Sequence, residues 1–256
     1  MITIGKIITP NSNPKMEKKT SNALLIYKDQ DGYRIRTKGG VSRERILNDP
    51  AYARTRKNLT EFGHSATSGK LLRQSIIAIS ADAKDKRVTS RVTQVMSLVK
   101  NEDLTSPRGQ RKVEIGISTT AGKAWLKGFE FNNRATLSSV LLTSYNLDTA
   151  TGEVTLVDFI PMSRVNAPQG ATHVSFNCGF LNLDFATSVH QMEVSNTVNL
   201  AINNTATNIT LTPAAVPTGT GTAMYFLKLS FFQELNGEQY PLNNGAFNAL
   251  QLIEVL

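Results

Sequence analysis

Ala223-Met224-Tyr225-Phe226-Leu227-Lys228-Leu229-Ser230-Phe231-Phe232-Gln233-Glu234, followed at once by Leu235-Asn236-Gly237, is the stretch on which the fold turns. The first twelve residues read as a β-strand. Asn236-Gly237 is a strong hairpin signal, because both central residues of the tight turn that matches strand twist need positive φ. The same two-residue period runs outward in both directions from Lys112 to the last residues. Further strands are expected at Val113–Ser118, Ala124–Phe131, Thr136–Ser144, Glu153–Phe159, His173–Asn177, Asn182–Ala186, Val198–Ile202, Asn208–Leu211 and Ala249–Val255. Thr151-Gly152 and Pro168-Gln169-Gly170 punctuate them as turns. Ten of the 11 phenylalanines and the single tryptophan, Trp125, follow residue 113, so the main core is expected there. Many short strands of this kind predict an antiparallel β-sandwich over 113–256, jelly-roll-like or Ig-like. Asn199 to Thr222, rich in Thr, Asn and Ala, reads as exposed edges and loops. No repeat of 20–50 residues suggests a solenoid or propeller.

Upstream the signals change. Leu24–Lys28 and Tyr33–Arg36 flank Asp29-Gln30-Asp31-Gly32 and predict a second hairpin. Polar Pro10 to Thr20 precedes it as a mobile loop or extended arm, and Lys38-Gly39-Gly40 follows as a joint. These make an N-terminal region over 1–41. A basic helical region follows over 42–112. Ser42 can cap a short turn through Ile46, and Asp49-Pro50 supplies an N-cap with proline at the first helical position. Tyr52, Leu59, Phe62, Ala66, Gly69, Arg73 and Ile76 recur at helical steps and predict one packing face. Gly63 and Gly69, with Ser65, Ala66 and Ser68, offer a close approach to another backbone. Ser80-Ala81-Asp82 breaks the pattern, and Val88, Val92, Val95 and Val99 mark a second helix. The expected class is therefore α+β: a hairpin, two main helices, then the sandwich.

With 40% hydrophobic and 19% charged residues the 256-residue chain is that of a folded protein. One cysteine, Cys178, leaves no internal disulfide and no cysteine-based zinc site. No apolar run reaches the roughly 20 residues of a membrane helix. Met1-Ile2-Thr3-Ile4-Gly5-Lys6 lacks the features of a secretory signal. Synthesis in the cytoplasm is expected, with the final location, such as an assembled particle or extracellular filament, left open. The net charge of +8 is unevenly spread. Residues 1–113 hold 23 Lys and Arg against 10 Asp and Glu, whereas residues 114–256 hold 5 against 10. Such asymmetry fits either an acidic external partner or the meeting of unlike halves of neighbouring subunits.

Chemistry-bearing motifs are few. His64, His173 and His190 form no helical zinc pair. Thr218-Gly219-Thr220-Gly221-Thr222 has Met224 where a dinucleotide loop needs its third glycine. Asp29-Gln30-Asp31-Gly32 starts like a calcium loop, but Tyr33, Arg34 and Gly40 stand where later ligands and the turn glycine belong. Carboxylates such as Glu130 and Asp158 are not singled out as a pair. No nucleophile motif is present, and no catalytic role, cofactor or metal is expected. The distinctive residues are cations: Arg43, Arg45, Arg54, Arg56 and Lys57, then Lys70, Arg73, Lys84, Lys86, Arg87 and Arg91, then Arg108, Arg111 and Lys112.

Several stretches act in combination: Asp31-Gly32-Tyr33 with Lys38-Gly39-Gly40-Val41, Asp49-Pro50-Ala51-Tyr52-Ala53-Arg54-Thr55-Arg56, Glu61-Phe62-Gly63, and Gly69-Lys70-Leu71-Leu72-Arg73. Ser90-Arg91 before Thr93-Gln94, Arg108-Gly109-Gln110-Arg111, Gly128-Phe129-Glu130-Phe131 and Gly245-Ala246-Phe247-Asn248-Ala249-Leu250 continue the series. In these the chain resembles a family of uncharacterised proteins frequent in Bacteroidetes genomes, over nearly its whole length. It departs in the longer Pro10–Thr20 insert. The resemblance supports the boundaries and implies no activity or cofactor.

The leading expectation is a structural, self-associating subunit of a filament, tube or particle, joined through basic N-terminal and acidic C-terminal surfaces. Arg54, Arg56, Arg73 and Arg91, with Gly63 and Gly69, are the contact candidates. The second reading is a nucleic-acid-associated packaging or virion component, in which the same cations meet phosphate. The third is a carbohydrate- or ligand-binding sandwich, for which Trp125, Tyr145, Tyr225 and Tyr240 would have to share one exposed face.

Overall fold

The computed structural model describes residues 24–29, 32–37 and 40–256. The expected Pro10–Thr20 arm and the Lys38-Gly39 part of the joint lie outside them. The chain divides into two compact units, residues 1–52 and 53–256.

In the first unit β1 (Leu24–Asp29) pairs antiparallel with β2 (Gly32–Thr37), as the Asp-Gly signal predicts, with Ile26 opposite Ile35. α1 (Arg43–Asn48) starts where the Ser42 hydroxyl accepts the Arg45 N–H at 3.2 Å. The Asp49 carboxylate then accepts the Ala51 N–H at 2.9 Å and opens a short 3-10 turn over Pro50–Tyr52.

The second unit begins with the long helix α2 (Ala53–Ser75), a brief α3 (Ile77–Ser80) and α4 (Val88–Asn101). Val88, Val92 and Val99 of α4 are buried as their spacing predicts. α2 departs from expectation. Leu59 and Phe62 are 54% and 59% exposed, and the buried positions are Glu61, Ser65, Ser68, Gly69, Leu72 and Ser75. Small side chains let α2 lie close to α4 beside Leu72, and Leu59 and Phe62 are turned outward. A Cβ on Gly69 would stand 3.1 Å from a Val92 methyl.

Three expected strands are helical in part. α5 (Val113–Gly116) lies within Val113–Ser118, α6 (Thr120–Leu126) takes the first three residues of Ala124–Phe131, and α7 (Leu137–Val140) lies within Thr136–Ser144. The buried residues of these runs show why. Val113 and Ile117, and likewise Leu137, Val140 and Leu141, are three or four apart, which is a helical spacing. Thr119 also caps α6, its hydroxyl accepting the Gly122 N–H at 2.9 Å. What remains of the second run is β3 (Phe129–Glu130).

The strands that follow are β4 (Asn146–Leu147), β5 (Val154–Phe159), β6 (His173–Leu183), β7 (His190–Val194), β8 (Val198–Ala201) and β9 (Thr207–Leu211). A single turn, α8 (Pro161–Arg164), lies between β5 and β6. β10 (Thr222–Leu235), β11 (Glu238–Pro241) and β12 (Ala249–Val255) complete the chain. The two runs expected at His173–Asn177 and Asn182–Ala186 are one continuous strand, β6, which ends at Leu183. β7 has no counterpart among the expected strands, because its polar, half-exposed residues carry little apolar signal. The β10–β11 hairpin turns at Asn236 and Gly237, with φ of 54° and 83°.

All pairings among the described residues are antiparallel. Seven strands form one sheet in the order β3-β12-β10-β6-β7, with β11 and β8 alongside, and β4-β5-β9 form a second. The protein is thus α+β with a β-sandwich. The long strands β6 and β10 are covered on both faces. Leu181, Leu183, Met224 and Phe226 pack with Leu72, Ile76, Val92 and Met96 of the helices. Phe176, Cys178, Tyr225, Leu227 and Phe231 pack with Val154, Leu156, Ile209 and Leu211 of the second sheet. Alternating side chains therefore feed two cores from one strand, giving the second unit three layers: helices, seven-stranded sheet, three-stranded sheet. Of Asn199 to Thr222, Ile209 and Leu211 are buried and most other residues line exposed loops and edges.

Candidate assembly surfaces

The helical layer is fastened by ionic contacts that use up part of its charge. Glu61 on α2 accepts from Lys100 Nζ of α4 at 2.6 Å, and its other oxygen accepts the Gly109 N–H at 2.6 Å. Burial by itself would raise this carboxyl's pKa, but the Lys100 and Gly109 hydrogen bonds outweigh it and hold it below the usual range. Asp103 is fully buried and is held low the same way, burial being overcome by hydrogen bonds from Ser106, Lys112 and Thr105. Arg91 binds the Asp85 carboxylate and the Glu130 and Phe131 carbonyls, tying α4 to β3. His64 accepts the Val113 N–H at 3.0 Å and lies 3.1 Å from Glu114.

The cations singled out in the sequence are therefore of several kinds. Arg91 is an internal tie, as is Lys100, which the sequence did not single out, and Lys112 pairs with Glu114 at 3.2 Å. Arg45 pairs with Asp49 at 3.2 Å and lies over the Tyr52 ring, and Arg43 is exposed beside it on α1. Arg54 and Lys57 are exposed in the first turns of α2, with Arg56 half-buried between them. No acidic residue shares that first turn, so the positive end of the helix dipole is met by positive charge, an unfavourable arrangement of about 0.3–1 kcal/mol per charge. Lys70, Lys84, Lys86 and Arg87 are exposed, Arg108 donates to Asn58 at 3.0 Å, and Arg111 is half-buried. Arg73 is half-buried with its Nε enclosed and without a hydrogen-bond partner among the described residues. Gly63 and Gly69 fall on different faces of α2: Gly63 is open to solvent, and Gly69 is pressed against α4.

Two apolar surfaces are exposed. One is the outward face of α2, where the Leu59 and Phe62 expected to pack stand in solvent on the side of Gly63 and Lys70. The other is the first hairpin. Ile26 and Ile35, opposite each other, are 64% and 65% exposed, and none of the first unit's residues whose exposure is described is buried. Alternation across a hairpin signals which residues share a face, but says nothing of whether anything covers that face.

The remaining candidates do not converge. Glu130 lies at an edge of the seven-stranded sheet and Asp158 on β5 of the other. Burial pushes the Glu130 carboxyl up to about 7, against the opposing influence of the Leu137 N–H, Gln251 and Arg91. The aromatic residues share no exposed face. Trp125 on α6 donates to Glu102, Tyr225 is buried with its hydroxyl on the Thr149 carbonyl, and Tyr240 is exposed on β11. Tyr145 packs against the inter-sheet core. Gly219 and Gly221 form a loop held by the Asn182 amide. His173 sits near Glu234 at 3.4 Å, and His190 is exposed. Among the described residues no three His, Cys, Asp or Glu side chains gather to hold a metal ion, and no helix is long and apolar enough to cross a membrane. No family model, curated protein or solved structure matches the chain.

Proposed function

We propose that this protein is a structural subunit that assembles with copies of itself and carries out no catalysis. The observation that supports this is the first unit. A two-stranded hairpin is at best marginally stable in water without a third strand or a packed face, and a six-residue helix such as α1 is below the length that stands alone. Here both elements occur with Ile26 and Ile35 uncovered and no buried residue among those whose exposure is described. Ordering such a segment costs about 1–2 kcal/mol per residue in backbone entropy, and burial against another subunit offsets that cost. The exposed apolar and cationic face of α2 adds a second surface of the same kind. Sedimentation of the full chain against an Ile26→Ser/Ile35→Ser variant tests this: the wild type is expected to assemble and the variant to remain dispersed.

A second reading, a protein bound to a phosphate polymer, is favoured by Arg54, Arg56 and Lys57 at the positive end of α2. It requires affinity that falls steeply with salt and is indifferent to base sequence.

A further inference from the structure

Two features lie on opposite sides of the second unit. The first is a cavity of about 290 Å³ where the end of α2 and α3 meet the start of α4. Ile77, Val88 and Phe131 supply apolar lining, and Arg73, Lys84 and Lys86 supply positive charge. The one acid in its lining, Asp85, is already occupied by Arg91 and by the N–H groups of Arg87 and Asn133. Arg73 makes no hydrogen bond or ion pair among the described residues, and its enclosed Nε is left unsatisfied, which is costly for a charged donor fork. A cavity of this make-up suits a carboxylate with an apolar neighbour.

The second feature has that composition. β5 slips its register between Leu156 and Phe159, forming a bulge against β9. The bulge projects Val157, 73% exposed, and Asp158, whose φ of +49° is in the left-handed region. The Asp158 N–H is held by the Asn208 side chain at 2.9 Å, and its carboxylate makes no hydrogen bond or ion pair among the described residues. Such strain at an exposed acidic knob is tolerated where the surroundings fix it, and it tends to mark a functional contact.

We infer that the Val157–Asp158 bulge of one copy seats in the Arg73 cavity of the next, Val157 against the exposed Ile77, Asp158 on the Arg73 guanidinium. The bulge is in the three-stranded layer and the cavity in the helical layer, with the seven-stranded sheet between them. One molecule cannot satisfy its own cavity, so the contact is head-to-tail and propagates into an open chain or closes as a ring. This inference rests on the self-assembling reading and supplies its polarity and register.

The test is sedimentation velocity on the full chain as wild type, Arg73→Glu, Asp158→Lys and the doubly reversed R73E/D158K. Asp158→Asn, which tolerates the left-handed backbone, serves as a charge-removing variant that keeps the fold, and thermal melting confirms folding of each. Each single variant is expected to raise the concentration needed for assembly about tenfold or more, and the double reversal to recover most of that loss. Single variants that assemble like the wild type, or a double reversal no better than either, overturn the inference. If these variants assemble normally while Ile26→Ser/Ile35→Ser does not, the inference fails and the assembly reading stands. A wild type that stays monomeric at all concentrations overturns both.

Discussion

Glu61 and Lys100 meet in the interface between α2 and α4 with both side chains almost fully enclosed. Removing one member of such a pair strands the other without water, which costs more than the pair contributes. Lys100→Met is therefore expected to lose about 3–5 kcal/mol in urea unfolding. E61Q/K100M is expected to regain at least half, since the uncharged amide placed at position 61 still offers an oxygen to the Gly109 N–H. A double variant no better than the single would show that the pair is not coupled. Glu130 offers a pH-dependent counterpart. Unfolded, its carboxyl loses the proton near its ordinary 4.5; folded, it keeps it to about 7. Between those values the folded state binds more protons, so stability falls as pH rises through this window and levels off above it. Glu130→Gln keeps the acceptor for the Leu137 N–H and removes the titration. It is expected to melt higher than wild type at pH 8, by an equivalent of about 1–2 kcal/mol after solvent screening, and about level with it at pH 4.5. An equal gain at both pH values would contradict the assignment.

At the scale of elements, the two glycines of α2 separate helix propensity from packing. Gly63 has open space around its Cα, so Gly63→Ala is expected to stabilise by about 1 kcal/mol through propensity alone. Gly69→Ala gains the same propensity but must push on Val92 at 3.1 Å, so it should fall short of Gly63→Ala in chemical denaturation. Equal gains would mean that α4 does not lie this close. The same helix shows where sequence reading stops. The valine spacing of α4, the Asn236-Gly237 turn and the alternation of β10 are local patterns, and each element forms where they point. In α2 a helical spacing of apolar residues is legible, but the face that packs is the one with Glu61, Ser65 and Gly69, because close approach to α4 selects small side chains over large apolar ones. Val113–Ser118 and Thr136–Ser144 are too short for period two and period 3.6 to be told apart, and Thr119 capping is the available cue for α6. Tertiary placement decides the rest. The Arg73 cavity joins residues more than fifty positions apart, and the Val157–Asp158 bulge depends on a register with β9 that no local pattern records.

For the molecule as a whole, the uneven charge survives folding in altered form. A small part of the basic half is consumed internally, Lys100 by Glu61 and Arg91 by Asp85. Several acids of the sandwich are tied up as well: Asp148 and Asp184 in their own turns, Glu254 with Lys127. In the proposed assembly, complementarity between subunits rests on particular groups, exposed Asp158 and half-buried Arg73 among them, beside the cations that stay exposed on the helices. Assembly driven by such specific contacts with apolar neighbours should weaken only moderately with salt, whereas binding to a phosphate polymer should collapse. If the first hairpin and the sandwich are parts of a self-assembling subunit, as we propose, negative-stain electron microscopy of the purified full chain over a salt series, beside Ile26→Ser/Ile35→Ser, shows it most directly. Regular filaments, tubes or shells from the wild type, absent from the variant, are the predicted result; dispersed monomers of the wild type at every salt and protein concentration would contradict it.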